Sequence, residues 1–481
     1  MIETYDVAVL GAGPSGMAAA TEAARRGARV VLLDENVAPG GQAHRAAPPG
    51  FFVPRDPDRD AGDALRDALA RSGAVVRTGH RVWGLGGGPL VPEGAPLAPF
   101  RIDALSDAGP VTLEARALLL CTGTQERIIP FPGWMLPGVI GLGAAMVLMK
   151  AQGVLPGRRV LVAGAGPLLY AATARLMAAG AEVVAVADLA SWTEWARALP
   201  ALAARPDLLL RGAAWRAKLA GSGVPHFVAH RVVAAEGGPV LERVRIAPDG
   251  DGAVEAFDCD VLCIGHGLTP ATEATRLFRA QHRHDRIGGG WVPVLDTDRR
   301  SSVPLLYVAG DAGGLRGAAA APASGRLAAL AALRDLEILD GRAHARARWR
   351  PWLDHWRASR SGAAMARLMA LRPALVAAIP PETVVCRCAG VTRAEIEAAL
   401  DDGAAEMDQL GQFTACGTGA CQGRLCGEAV AELVALRVGG REHAGFAKAR
   451  LPLRPVPMEA VLDDVGRRDV PAAATTGAAP I

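Results

Sequence analysis

The chain has no strong charge bias, no disulfide framework, and no uncharged run that reads as a membrane span. Its formal net charge is only +3 over 481 residues, and the basic residues, nearly all Arg, are scattered, so a nucleic-acid partner gains no support. The Ala-rich stretch from Ala318 is broken by Pro322, Gly325 and Arg326, which excludes it as a span. Met1 to Asp6 lacks a basic region leading into an apolar one, and Val7 enters a strand at once. The expectation is a cytoplasmic protein with no signal peptide. Five of the eight cysteines crowd between Cys386 and Cys426, a usage that fits metal binding in a reducing compartment. Cys121, Cys259 and Cys263 fall in apolar, strand-like runs and read as core.

What remains is an ordinary enzyme composition, 51% hydrophobic and 21% charged, on a chain long enough for two or three domains. Asp6 to Leu10 reads as a strand, Gly11 to Gly16 as a glycine turn, Met17 to Arg26 as a helix and Ala28 to Leu33 as a second strand. The same order recurs at Arg159 to Ala163, Gly164-Ala-Gly166, a helix through Ala179, and Glu182 to Ala187. The fold class expected is α/β, with two Rossmann-like units and a small helical cysteine module at the C-terminal end.

The first turn, Gly11-x-Gly13-x-x-Gly16, follows a strand, opens a helix and precedes Asp34 at the end of the next strand. That context points to a dinucleotide: Gly11 for the tight turn, Gly13 for approach of a pyrophosphate, Gly16 for helix packing, and Asp34 for a ribose hydroxyl. Three further segments make the chain resemble the two-dinucleotide-binding-domain flavoproteins. They are Gly40-Gly41-Gln42, Leu120-Cys121-Thr122-Gly123 and Val308-Ala-Gly310-Asp311. The resemblance implies FAD, with Gly41 and Gln42 near the flavin, Thr122 and Gly123 ending a strand beside it, and Gly310 and Asp311 at the ribityl chain. It also sets Val82 where a backbone meets the adenine, although a plain strand residue fits there too. His44 and Arg45 face either the isoalloxazine or the surface and phosphates.

In the second unit Leu169 stands where a third glycine should sit, which weighs against a nicotinamide nucleotide. Asp188 ends the following strand as a ribose acceptor if the unit is occupied, and a degenerate unit retained for structure is the other reading. Neither nucleotide unit holds the close cysteine pair of a disulfide reductase.

In the C-terminal module, Cys386-Arg-Cys388 is followed by Cys416, Cys421 and Cys426. A C-x-C pair suits iron-sulfur sites better than structural zinc. Val385 to Ile396 with Gly419-Ala-Cys421-Gln-Gly-Arg-Leu-Cys426 resembles the bacterioferritin-associated-ferredoxin type of 2Fe-2S domain. That likeness makes Cys386, Cys388, Cys421 and Cys426 the first-choice ligands, with Cys416 as an alternative.

The whole order, including Pro132-Gly-Trp-Met-Leu-Pro-Gly138, resembles the alpha subunit of heteromeric dye-linked amino-acid dehydrogenases. The likeness implies an electron-transfer subunit partnered with an FAD-dependent dehydrogenase beta subunit. In that family, further components include a small third subunit, an external electron acceptor and an FMN held between subunits. The expected boundaries are 1–145 and 273–345 for the FAD domain, 150–272 for the second unit, 346–382 for a helical linker, 383–440 for the cysteine module and 441–481 for a tail. Trp349, Trp352 and Trp356, at helical spacing, read as packing rather than a redox path. No Ser-His-Asp set or acid and base pair marks the flavin segments, so no catalytic residue is named. Two rival readings are a self-contained NAD(P)H-dependent reductase and a non-catalytic assembly subunit.

Overall fold

The computed structural model describes residues 2–46, 57–88, 98–250 and 252–461. Strand β1 (Glu3–Leu10) ends in a buried Val-Ala-Val-Leu run, α1 (Pro14–Ala24) starts on a proline that suits a first helical turn, and β2 (Val30–Leu33) is buried throughout. Helix α2 (Pro57–Ala70), β3 (Val75–Arg77) and the antiparallel strands β4 (Arg81–Gly88), β5 (Ala98–Ser106) and β6 (Gly109–Leu120) complete the first stretch. β1 lies between β2 and β6, parallel to both, and β3 extends the parallel side. The buried runs on β1, β2 and β6 are those a sheet covered on both faces requires.

β7 (Thr124–Glu126) leads into the proline-rich crossing segment, and a second parallel sheet follows. It is built from β8 (Val139–Gly141), β9 (Arg159–Gly164), β10 (Glu182–Asp188), β11 (His226–Val228) and a later strand, with α3 (Leu142–Val147), α4 (Pro167–Ala178), α5 (Trp192–Leu202) and α6 (Pro206–Ala220) between them. An antiparallel sheet of β12 (His230–Glu236), β13 (Arg243–Pro248) and β14 (Glu255–Asp258) packs on one face through Val232, Val244 and Ile246. β15 (Val261–Gly265) then inserts between β9 and β8. Because β8 pairs with β15, the second sheet begins at Val139, ahead of the expected boundary at 150.

The chain returns through β16 (Leu268–Pro270), which pairs with β7 so that the two crossings form one ribbon. After α7 (Glu273–Leu277), β17 (His282–Asp285) and β18 (Gly290–Pro293), strand β19 (Leu306–Val308) joins the first sheet beside the C-terminal end of β6. Helix α8 (Ala321–Asp335) packs on α1, and α9 (Gly341–Leu368) follows, capped by Asp340, whose carboxylate accepts the Arg342 and Ala343 amides at 2.8 and 2.9 Å.

The cysteine module has its own core of Val376, Ile396, Leu410, Val430 and Val434, joined by Ile129 from the crossing segment. It comprises α10 (Pro373–Ala377), β20 (Val384–Cys386), β21 (Val391–Thr392), α11 (Arg393–Asp401), α12 (Met407–Thr414), α13 (Gly427–Val438) and α14 (Arg441–Ala444). Beyond it the chain runs back to the first sheet: Leu453 is buried there, its amide donates to the Trp83 carbonyl at 2.7 Å, and Arg454 pairs with Glu35 at 3.1 Å. The tail expected at 441–481 is therefore not loose as far as residue 461, since α14 and Leu453 are packed; residues from 462 on lie outside the described residues. Among the described residues no helix is long and apolar enough to cross a membrane.

Candidate functional site

The β1 to α1 turn shows a division of labour among its glycines. Gly11 adopts a φ of 101°, and a β-carbon there would run into the Cys121 carbonyl. At Gly16 the same addition would strike the Gly11 carbonyl, which is how helix and strand come so close. Gly13, by contrast, faces open space, and α1 begins at Gly13 with no side-chain cap and no acid in its first turn. The first amides of α1 are therefore left for an anion, as a pyrophosphate cradle requires. The Gly40-Gly41 loop closes on it: Gly40 donates to the Ala12 carbonyl at 2.8 Å, and Gly41 lies against Gly13.

Asp34 is buried, 8% exposed, and does more than the sequence suggested. Its Oδ2 accepts the Ala12 amide at 2.5 Å, and its Oδ1 accepts the Asn36 backbone and side-chain amides at 2.8 and 2.7 Å. It braces the glycine turn while standing at the strand end where a ribose would lie. His80 donates to the Asp34 carbonyl at 2.9 Å, which brings the start of β4 and half-buried Val82 to the same end. Arg45 reaches Asn36 at 2.6 Å, whereas Gln42 is exposed.

At the other end, the Thr122 hydroxyl donates to the Ala271 carbonyl at 2.9 Å, and Gly123 accepts the Ala271 amide at 3.0 Å. Gly310 lies against Ser15 and donates to Ser324 Oγ at 3.0 Å. Asp311 Oδ1 accepts the amides of Arg316 and Gly317 at 2.7 and 2.8 Å. Burial raises its pKa and the two amides oppose that. Its Oδ2 has no protein partner among the described residues, so one oxygen is left for a hydroxyl. Four segments far apart in sequence thus meet, and a cradle with uncapped amides at one end and a spare carboxylate oxygen at the other fits FAD.

The first turn of α4 in the second unit is likewise uncapped and without an acid, but its surroundings differ. Met369, just past α9, packs its side chain where a β-carbon of Gly166 would sit, beside the first turn of α4. Leu169 is fully buried in the core rather than leaving room for close helix packing. Asp188 is wholly buried and accepts Tyr170 Oη at 2.6 Å, Trp195 Nε1 at 2.9 Å and the Ala190 amide at 2.9 Å. Arg216 lies over the Trp192 ring, 4.2 Å from its centroid, with Tyr170 and Trp195 nearby. The carboxylate that could hold a ribose is already occupied by the protein's own side chains.

In the cysteine module the thiols of Cys386, Cys416 and Cys426 lie within 4.8 Å of one another, all buried, and Cys388, which is exposed, meets Cys421. A hydrogen bond to Cys426, then burial, pushes the Cys386 thiol up, because a thiol that donates to its neighbour holds its proton until a cation replaces it. Three grouped thiols with a second pair within electrostatic reach of them fit an iron-sulfur cluster. Cys416, the alternative ligand, belongs to the same group.

The link between the two sites was not foreseen from sequence. Arg424 donates to the Cys421 carbonyl at 3.3 Å and to Leu453 at 2.7 Å, and its Nε pairs with Glu273 at 3.1 Å. Gln125, two residues past Gly123, donates to Glu273 at 2.6 Å. A chain of polar contacts therefore runs from the cysteine loop to the strand end beside the FAD cradle. Nearby, buried Arg127 donates to the carbonyls of His266 and Met369, and buried Arg441 pairs with Glu428 and Glu432 at 3.1 and 3.2 Å. Only the cysteine-rich loop around Arg424 carried a sequence signal; the acids and amides are scattered over the chain.

The comparisons with known proteins follow this division. The BFD-like [2Fe-2S] binding domain family matches residues 384–435, the FAD dependent oxidoreductase family residues 6–81, and the pyridine nucleotide-disulphide oxidoreductase family residues 97–325. The chain is 36% identical to the A component of opine oxidase from Rhizobium meliloti, over 94% of this chain and 86% of that one. It is 34% identical to the HcnB component of hydrogen cyanide synthase from Pseudomonas aeruginosa, over 94% and 97%. In fold it is similar to L-proline dehydrogenase from P. horikoshii, with a TM-score of 0.68, 20% identity, and coverage of 96% of this chain and 80% of that one. With that identity and coverage, the chain belongs to the family that holds the opine oxidase A and hydrogen cyanide synthase HcnB components.

Proposed function

We propose that this chain is the FAD- and iron-sulfur-containing electron-transfer subunit of a heteromeric dye-linked dehydrogenase acting on CH-NH or CH-NH2 donors of the opine, proline or hydroxyproline kind. A flavin-containing partner subunit oxidises the amine to an imine, releasing two electrons that this chain carries toward an external acceptor. FAD takes electrons in pairs and the cluster singly, so the two groups together convert one flow into the other. The observation that carries the reading is the contact chain from Gln125 through Glu273 and Arg424 to Cys421, which ties the cysteine loop to the FAD cradle.

The residues assigned to FAD are Gly11, Gly13, Gly16, Asp34, Gly41, Gln42, Val82, Thr122, Gly123, Gly310 and Asp311. Those assigned to the cluster are Cys386, Cys388, Cys421 and Cys426. The partner is an FAD-dependent beta subunit, with a small third subunit and an interfacial FMN as further components of the complex, and the setting is cytoplasmic.

Anaerobic addition of proline, hydroxyproline or an opine to the purified complex should bleach the flavin and bring up the electron-spin signal of a reduced cluster. Silence of both signals with every donor, while the partner is reduced, would leave a purely structural subunit. Rapid, stoichiometric bleaching by NADH would instead favour a self-contained reductase, a reading opposed by Met369 against Gly166 and by the saturated Asp188.

A further inference from the structure

We infer that the solvent face of α9 is the docking surface for the flavoprotein partner, and that it receives an acidic, partly apolar patch of that chain. The inference rests on the heteromeric reading above. Aromatic residues make up only 4% of the protein, yet α9 holds three of its nine tryptophans. Arg342, Arg346, Trp349, Leu353, Trp356 and Arg360 recur every three or four residues and so share one face. Trp349 is 59% and Trp356 46% exposed, so the packing read for these tryptophans takes place on the solvent side of the helix.

The face is ordered. Trp349 stacks on Trp352 with centroids 5.5 Å apart, and the Arg360 guanidinium lies 5.2 Å from the Trp356 ring centre. On the opposite side Pro351, Ala358 and Gly362 are buried, with Gly362 pressed against the Arg316 backbone, so the helix is a fixed platform. Arg350 and Arg357, at its edge, have no carboxylate partner among the described residues, and Asp354 is the only acid within the helix. Exposed tryptophan beside arginine is the composition of the energetic centre of a protein interface.

Charge selects the occupant. A second copy of this chain would set arginine against arginine. A membrane would need the apolar side of the helix, which is already buried. A nucleic acid would call for a long basic track on a strongly basic chain, and the net charge is only +3. An acidic protein surface satisfies both the arginines and the rings.

The test uses full-length chain and the purified beta subunit of the same complex. Trp349→Ala with Trp356→Ala should weaken association roughly tenfold or more. Arg350→Glu with Arg357→Glu should slow association and flatten its salt dependence. Unchanged flavin and cluster spectra in the variants would report an intact fold. If a variant fails to fold, hydroxyl-radical footprinting of the wild-type complex decides: partner binding should protect Trp349 and Trp356 several-fold. The inference is overturned by wild-type affinity in both variants, by absent protection, or by an α9-dependent dimer or RNA complex in place of the partner. If the wild-type chain binds no beta subunit, the heteromeric reading fails with it. If the complex forms through another face, only the α9 assignment fails.

Discussion

A β-carbon at position 11 would meet the carbonyl of Cys121, and the backbone there holds a φ that L-residues avoid. Gly11→Ala should therefore cost more than ~2 kcal/mol of stability and most of the bound flavin, read from thermal unfolding and from absorbance of the purified protein. The glycine motif was legible in sequence because its spacing is local. The bracing role of Asp34 was not, since it depends on an amide 22 residues away being brought within 2.5 Å. A second residue-scale effect concerns His266, whose Nδ1 accepts the Ile129 amide at 3.1 Å. Burial, then the Arg127 guanidinium, holds its pKa down to about 3. An unfolded histidine binds a proton near 6.5, so the unfolded state takes up more protons between these values. The stability from neutral His266 is complete above about pH 6.5 and is lost toward pH 3, at up to about 1.4 kcal/mol per pH unit. Melting temperature should fall on that acid limb, and His266→Asn, which keeps an acceptor, should make the fall shallower.

At the scale of elements, the cysteine module groups the thiols of Cys386, Cys416 and Cys426 and sets Cys388 against Cys421, so five cysteines compete for the four places of a cluster. Cys386→Ser and Cys421→Ser should abolish the cluster's visible absorption and spin signal while leaving the FAD spectrum, whereas Cys416→Ser should keep both. Iron and sulfide analysis of each variant checks the assignment. Sequence spacing was enough to find this module, because its cysteines lie within one short stretch. It was not enough to place α9: the helix itself was expected from its pattern, but which of its faces meets solvent depends on α8 and on the Arg316 backbone, and no local pattern encodes those. The start of the second sheet at Val139 was missed for the same reason, since β8 is defined by pairing with a strand more than a hundred residues later.

At the scale of the molecule, the segment after α14 ties the cysteine module to the end of the first sheet at Glu35 and Trp83. Leu453 is buried in the first sheet's core, bonded to Trp83 through its amide and to Arg424 through its carbonyl, while Arg454 pairs with Glu35. Ending the chain after Ala444 should loosen the module, raise its sensitivity to limited proteolysis and reduce FAD retention together. Proteolysis with mass mapping and flavin release on dilution would measure this. Undiminished FAD retention would show that the segment steadies the module alone. Nothing in the composition of 445–461 announces this role, which exists only because two sites distant in sequence are neighbours in space.

The seal at Met369 has a consequence for the cell as well. A carrier that also accepted a reduced nicotinamide would connect amine oxidation to the general reductant supply, and electrons could leak through the complex whenever substrate was absent. A methionine lodged against Gly166, and Asp188 held by Tyr170 and Trp195, oppose such an inlet from within the fold. On the electron-transfer reading proposed above, the chain should then act as an insulated wire, its redox state set by the partner that feeds it and the acceptor that drains it, and anaerobic NADH should leave its flavin oxidised.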